Sequence, residues 1–237
     1  MNISHDNLAE QERIRSVYQA RRDGFLPAQY AWHRPEVLQQ TAIRSRILAP
    51  LLIEAVGPDL SSARILDVGC GSGAFIRQLI SWGADPTKLI GTEFQQDRIE
   101  YARRHTAGGV QWHLGGLDIA AVDSIDLVSA ETVFSSILDP GLRHDLAAEM
   151  WRVVKPGGCC MVYDFRYDNP RNPNVSKVTL EELRRYWPTD EIRYRTLLLA
   201  PPIARRMARM PRLAAEVLTV MLPVLRSHFF FMARKPK

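Results

Sequence analysis

The run Ile65-Leu66-Asp67-Val68-Gly69-Cys70-Gly71-Ser72-Gly73-Ala74-Phe75 constrains this chain more than any other feature. A short apolar stretch feeds a turn with glycine at positions 69, 71 and 73, and a helical pattern follows at once. Glycines let a ligand approach the backbone closely, and the start of the helix offers free N–H groups. Such a turn needs a buried strand behind it and a packed helix in front, which is the repeating unit of a parallel α/β sheet. The chain repeats that alternation. Arg64 to Val68, Leu89 to Glu93, Val110 to Leu114, Ile125 to Ala130 and Cys159 to Phe165 read as strands, with Ala74 to Ser81, Asp97 to Arg104 and Arg143 to Val153 as helices between them. With 237 residues, 46% of them apolar, the chain is long enough to bury one such core.

Two further regions flank this unit. Helical patterns over residues 5–23 and from Glu36 to Val56 precede the first strand, with Tyr30, Trp32 and His33 between them. After the fifth strand, Thr179 to Tyr186 reads as a helix capped by Thr179, with Glu182 at the capping-box position. Ile192 to Leu199 favours a strand, Pro202 to Leu222 a basic helix, and His228 to Arg234 a final strand. The expected organisation is an N-terminal helical cap over residues 1–60 and a sheet domain over 61–237. Residues 166–224 contribute an acceptor-side insertion to that domain.

The glycine spacing alone admits two ligand classes, because Gly69, Gly71 and Ala74 also satisfy the dinucleotide fingerprint in its alanine-tolerant form. Asp67 separates them. A carboxylate beside the turn repels a pyrophosphate, whereas S-adenosylmethionine has no phosphate and carries a cationic amino group and a sulfonium. Glu93, 20 residues beyond Gly73 at the end of the second strand, is placed to accept both ribose hydroxyls. That role is shared by nucleotide and S-adenosylmethionine sites.

On these motifs the chain resembles the class I S-adenosylmethionine-dependent methyltransferases over about residues 60–166. Asp67 to Gly73 is similar to that family's first motif, and Arg152-Val153-Val154-Lys155-Pro156-Gly157-Gly158 to its turn before the fifth strand. A closer resemblance, to the methyltransferase type 11 subgroup related to ubiquinone and menaquinone methylases, is carried by four further segments. They are Thr132 to Asp139, Tyr163-Asp164-Phe165-Arg166, Asn169 to Pro173 and Leu199-Ala200-Pro201-Pro202. The resemblance implies a doubly wound, seven-stranded, mostly parallel sheet with the last strand reversed. It implies a cofactor site made of Asp67, Gly69, Cys70, Gly71, Gly73, Glu93, Phe94, Gly116, Leu117 and Glu131. Where the family commonly has Gly-Asp after the third strand this chain has Gly115-Gly116, which leaves backbone at Gly116 and Leu117, and more weakly Asp118, to meet the adenine ring.

The same resemblance points Glu131, Phe134, Ser135 and Ser136 at the transferable methyl group, where related quinone methylases often carry histidines. Serine alone is a poor base, so the groups with a claim to acid–base work are Ser135, His33 and Asp164, the last alternatively a structural carboxylate paired with Arg166. The expected acceptor is a small molecule or glycan end presenting a hydroxyl. C-methylation of a quinone-like ring and non-catalytic cofactor binding are the alternatives. The Asn/Asp-Pro-Pro-aromatic motif of amino-methylating DNA enzymes is missing, so no nucleic-acid partner is expected, and no metal site is expected either.

Lys and Arg total 31 against 26 acids, with many of the excess positives around residues 13–46 and 184–212, a distribution compatible with contact to a membrane surface. Residues 1–15 lack the apolar stretch of a secretion signal, and three cysteines make no disulfide framework, so a cytoplasmic protein without a transmembrane segment is expected. Calorimetric titration is expected to show binding of S-adenosylmethionine and its demethylated product but not NAD. Asp67→Ala is expected to weaken that binding by about 1–3 kcal/mol, the loss of a charge-assisted hydrogen bond; tight NAD binding with no response to S-adenosylmethionine would sink the assignment.

Overall fold

A computed structural model describes residues 9–10, 12–17, 33–170, 172–199 and 222–237. The expected Tyr30-Ala31-Trp32 stretch and nearly all of the expected helix Pro202 to Leu222 lie outside these residues. Seven strands, β1 (Ile65–Val68), β2 (Leu89–Glu93), β3 (Gln111–Leu114), β4 (Ile125–Glu131), β5 (Val154–Phe165), β6 (Ile192–Leu199) and β7 (Arg226–Arg234), form one sheet in the order β3-β2-β1-β4-β5-β7-β6. The β1, β2, β3, β4 and β5 pairings are parallel, and β7 runs antiparallel to both β5 and β6. Six strands therefore share one direction and β7 is reversed, as the resemblance implied. Five helices are assigned along the described chain: α1 (Pro35–Val56), α2 (Ala74–Ser81), α3 (Gln96–Arg104), α4 (Pro140–Val153) and α5 (Leu180–Tyr186). Residues 12–17 are helical as well.

Helices on both faces explain the continuous apolar strands. All four residues of β1 and all five of β2 are buried, as are Phe229 to Ala233 of β7. Alternate residues face opposite layers. Ile65, Leu127, Met161 and Phe230 pack with Leu48, Leu52 and Leu79 of α1 and α2, whereas Leu66, Val128, Cys160 and Phe231 pack with Met150 of α4 and Trp187. Trp187 is completed on its polar edge, its indole N–H donating to the Ala147 carbonyl at 3.0 Å.

Local chemistry sets the element ends. Thr179 and Glu182 form the expected reciprocal capping box, and the Asp139 carboxylate takes the Leu142 N–H at 2.8 Å ahead of Pro140. β5 starts five residues earlier than the sequence pattern indicated. The Gly157 N–H donates to the Lys235 carbonyl and the Lys235 N–H to the Gly158 carbonyl, both at 2.8 Å, so the Lys155-Pro156-Gly157-Gly158 turn is drawn into the ladder. Gly91 in β2 shows how tightly α2 and β3 close on the sheet: a Cβ there would stand 2.7 Å from the Trp112 ring and 2.9 Å from Ile76. Gly91→Ala is expected to cost about 1–3 kcal/mol by overpacking, read as a lower urea midpoint with an unchanged slope.

Candidate functional site

A cavity of roughly 1000 Å³ opens at the carboxyl ends of the parallel strands, where the β1 turn, the ends of β2 and β4, the loop after β3 and α4 converge. The turn supplies Gly69, Cys70 and Gly71, and it is held from β2: the Cys70 N–H donates to the Thr92 carbonyl at 2.9 Å and the Gly71 N–H to Glu93 Oε2 at 3.1 Å. Gly69 has φ +60°, and a Cβ on it would meet Val133 at 2.7 Å, so this backbone takes no side chain. Of the residues expected to hold a cofactor, Asp67, Gly69, Cys70, Gly71, Glu93, Phe94, Gly116, Leu117 and Glu131 line the cavity. Gly73 does not line it. At φ +79° its missing side chain instead lets Trp112 and Ala102 pack against the turn.

Asp67 is 2% exposed, and its Oδ1 has no hydrogen-bond partner among the described residues. Burial and then the Glu131 charge push its carboxyl well above the usual carboxylate range, while Arg44 pulls it back. A buried acceptor without a donor, on a cavity wall, is a polar group waiting for a ligand's donor. Glu93 stands at the end of β2 on the cavity wall and also holds the turn. Oε1 accepts from the Phe94 and Gln95 N–H groups at 2.8 and 3.2 Å and Oε2 from Gly71, with Arg98 at 3.6 Å from Oε2. Its first task is to tie the turn to β2, and Oε2, with one backbone bond, is the oxygen with room for a hydroxyl.

Sequence reasoning did not single out Arg44, Arg98 or the residues of the N-terminal helical segment that reach this site. Arg44 of α1 pairs with Glu131 and donates to Gln78 Oε1 of α2 at 2.7 Å. Ile14 and Arg15 line the cavity, and Glu10 with Arg13 grips the loop after β4: Glu10 accepts the Leu138 N–H at 2.7 Å and Arg13 donates to the Ser136 carbonyl at 2.6 Å. Only the local excess of basic residues near the N-terminus hinted at such contacts. Asp118, the weaker candidate for the adenine ring, lies 3.3 Å from His113 and is largely exposed.

Of the three groups considered for acid–base work, Ser135 and Asp164 are brought together away from the cavity and His33 stands apart. His33 is exposed just ahead of α1 and is not among the cavity-lining residues. Ser135 and Asp164 are fully buried and off the cavity wall. Asp164 accepts the Ser135 and Phe165 N–H groups at 3.0 and 2.8 Å, which pins the loop after β4 to the end of β5. Arg166 is not its partner; that guanidinium donates to the Pro223 and Arg226 carbonyls. Beside this loop, Thr132 is held at φ +55°, a costly conformation for a β-branched residue, with its N–H bonded to the Tyr163 carbonyl at 2.7 Å.

Residues 65–158 match the family model described as a methyltransferase domain. The chain is 29% identical over 145 residues to the biotin biosynthesis bifunctional protein BioHC of Cellvibrio japonicus, covering 60% of this chain and 26% of that protein. It is 30% identical over 105 residues to the ubiquinone biosynthesis O-methyltransferase of Mesorhizobium japonicum, covering 42% and 39% of the two chains. In each case it spans well under half of the relative's length. Among solved structures, an S-adenosylmethionine-dependent methyltransferase from Mesorhizobium loti superposes with a TM-score of 0.53 at 19% identity, over 78% of this chain and 96% of that one, a likeness of fold.

Burial pushes the Asp164 carboxyl up to about 6 against the lowering effect of its N–H donors. Its folded value lies above the unfolded one, so ionisation opposes folding: stability from this group is full below the ordinary carboxylate range and is lost as pH rises through about 6. Urea denaturation is expected to show Asp164→Asn losing roughly 2–3 kcal/mol less stability over that window than the native chain. Parallel pH profiles of the two proteins would contradict the assignment.

Proposed function

We propose that this chain, whose residues 65–158 are a methyltransferase domain, is an S-adenosylmethionine-dependent enzyme that methylates a small or medium-sized acceptor, specifically a hydroxyl of a sugar, glycan end or secondary metabolite. The observation that carries the cofactor assignment is Asp67 Oδ1, buried, without a donor and on the wall of the cavity. A cationic amino group satisfies it, and a pyrophosphate worsens it. Gly69 and Gly71 leave the turn open to close approach, Glu93 Oε2 offers an acceptor to a ribose hydroxyl, and Leu117 with Phe94 gives apolar surface for a base. When bound, the cofactor supplies an already activated methyl group.

The chain's own contribution is then mainly to orient the acceptor and exclude water, which positioning alone can make large. Ile14, Thr132, Val133, Ile137 and Tyr163 also line the cavity and offer surface to an acceptor. The names of relatives, which include a ubiquinone biosynthesis O-methyltransferase and a fatty-acid O-methyltransferase, support an oxygen acceptor without selecting one. His33, Asp164 and Ser135 keep their place as groups to be tested for proton transfer, and the burial of the latter two favours a role in holding the loop. A cytoplasmic location accords with the finding that no described helix is long and apolar enough to cross a membrane.

The test is transfer of labelled methyl from S-adenosylmethionine to a panel of hydroxyl, ring-carbon and amine acceptors. Transfer to a hydroxyl is expected, and Glu93→Gln is expected to raise the cofactor Kd about tenfold, the loss of roughly 1–2 kcal/mol in charge-assisted hydrogen bonding. Tight cofactor binding with no transfer to any acceptor class would instead mark a non-catalytic binder.

A further inference from the structure

Asp67, Glu131 and Tyr163 share one face of the sheet because side chains alternate along a strand; Asp67 is the register partner of Ser129, and Glu131 that of Tyr163. α1 covers that face and inserts Arg44 into the same layer. The guanidinium, on a side chain 17% exposed, donates to Glu131 and to Gln78, and lies 5.2 Å from the ring centre of Tyr163 and 5.8 Å from those of Phe75 and Phe230. A planar cation held by two acceptors and three rings has a fixed position. α1 lies outside residues 65–158, so the family match gives Arg44 no role.

Among the described residues the charges in this layer do not balance. Glu131 faces Arg44 of α1, Asp67 of β1 and Tyr163 of β5; Asp67 faces Glu131, Arg44, Glu93 and Cys70; Glu93 has Arg98 beside it. One guanidinium thus serves two neighbouring carboxyls and touches only Glu131. We propose that Arg44 is a positioning residue that sets the charge of the Asp67–Glu131 pair: it keeps Glu131 ionised, and Asp67 gives up its proton only when a cationic ligand enters the cavity. Burial raises both carboxyls, and Arg44 opposes that rise in both. Ligand entry is therefore coupled to release of one proton to solvent, and below the titration of Asp67 the Kd rises tenfold for each pH unit lost. Without the Arg44 charge Glu131 protonates too, and a second proton must leave, which steepens the dependence toward a hundredfold per unit.

This inference rests on the S-adenosylmethionine assignment, and the experiment separates the two. S-adenosylmethionine is titrated calorimetrically into the full chain in pairs of buffers of different ionisation heat, across about pH 5.5 to 8, for the native protein, Arg44→Lys, Arg44→Gln and Glu131→Gln. The native chain is expected to release close to one proton below the Asp67 titration. Arg44→Gln should release more and move the pH dependence upward, and Arg44→Lys should restore the native count. Glu131→Gln should release less, because Asp67 then faces Arg44 without a competing acid and holds its proton less tightly. These opposite signs keep the test decisive if Arg44→Gln does not fold. A native chain that binds no S-adenosylmethionine overturns both readings. Binding without proton release, or variants that weaken binding uniformly at the native proton count, overturns the role of Arg44 alone.

Discussion

The union of the β1 turn with the end of β2 is the constraint on which the rest of the structure depends. Three N–H groups, of Gly71, Phe94 and Gln95, converge on the Glu93 carboxylate, and Cys70 is bonded to Thr92, so two strand ends and a glycine turn become one rigid floor. The left-handed conformations of Gly69 and Gly73 turn the chain from strand into helix over a few residues. Any side chain there meets Val133 or Trp112, so the same glycines that open the cavity also close the core behind it.

Above this floor the site is built from like charges. Asp67, Glu93 and Glu131 all line the cavity, and a fold isolates acids in this way only against a cost in desolvation and repulsion. Two are compensated in different ways: Glu93 by backbone N–H groups, Glu131 by Arg44. Asp67 has one oxygen without a partner among the described residues, and such a group is informative because a donor that reaches it recovers the stability it forgoes.

Another wall of the cavity is the loop after β4, which has little regular structure of its own and is held by its surroundings. Asp164 takes the Ser135 N–H from below. Arg143, 6% exposed, donates to the Ile137 and Lys177 carbonyls and to Glu182, joining the loop to α5, and Glu10 and Arg13 bind it from the N-terminal side. A strained Thr132 persists because these partners over-determine the loop. The shape of this wall therefore comes from residues far apart in the chain.

The sequence pattern by itself determined the strand–helix alternation and the glycine turn, which follow from apolar runs and from glycines where side chains cannot fit; the reversed last strand and the expected cofactor residues came from the family resemblance, and nine of those ten residues line the cavity. It also determined the Thr179–Glu182 capping box, a contact three residues apart. What only the tertiary structure decided is how charge is distributed and where each polar group ends. Arg44 lies 87 residues from Glu131, and nothing in its neighbours marks it among 31 basic residues. The alternative pairing of Asp164 with Arg166 failed because the Asp164 carboxylate, inside β5, accepts the Ser135 N–H, whereas Arg166 lies beyond the end of that strand and its guanidinium donates to the Arg226 carbonyl of β7. Ion pairs and buried hydrogen bonds depend on which surfaces the fold presses together, and sequence spacing does not carry that information.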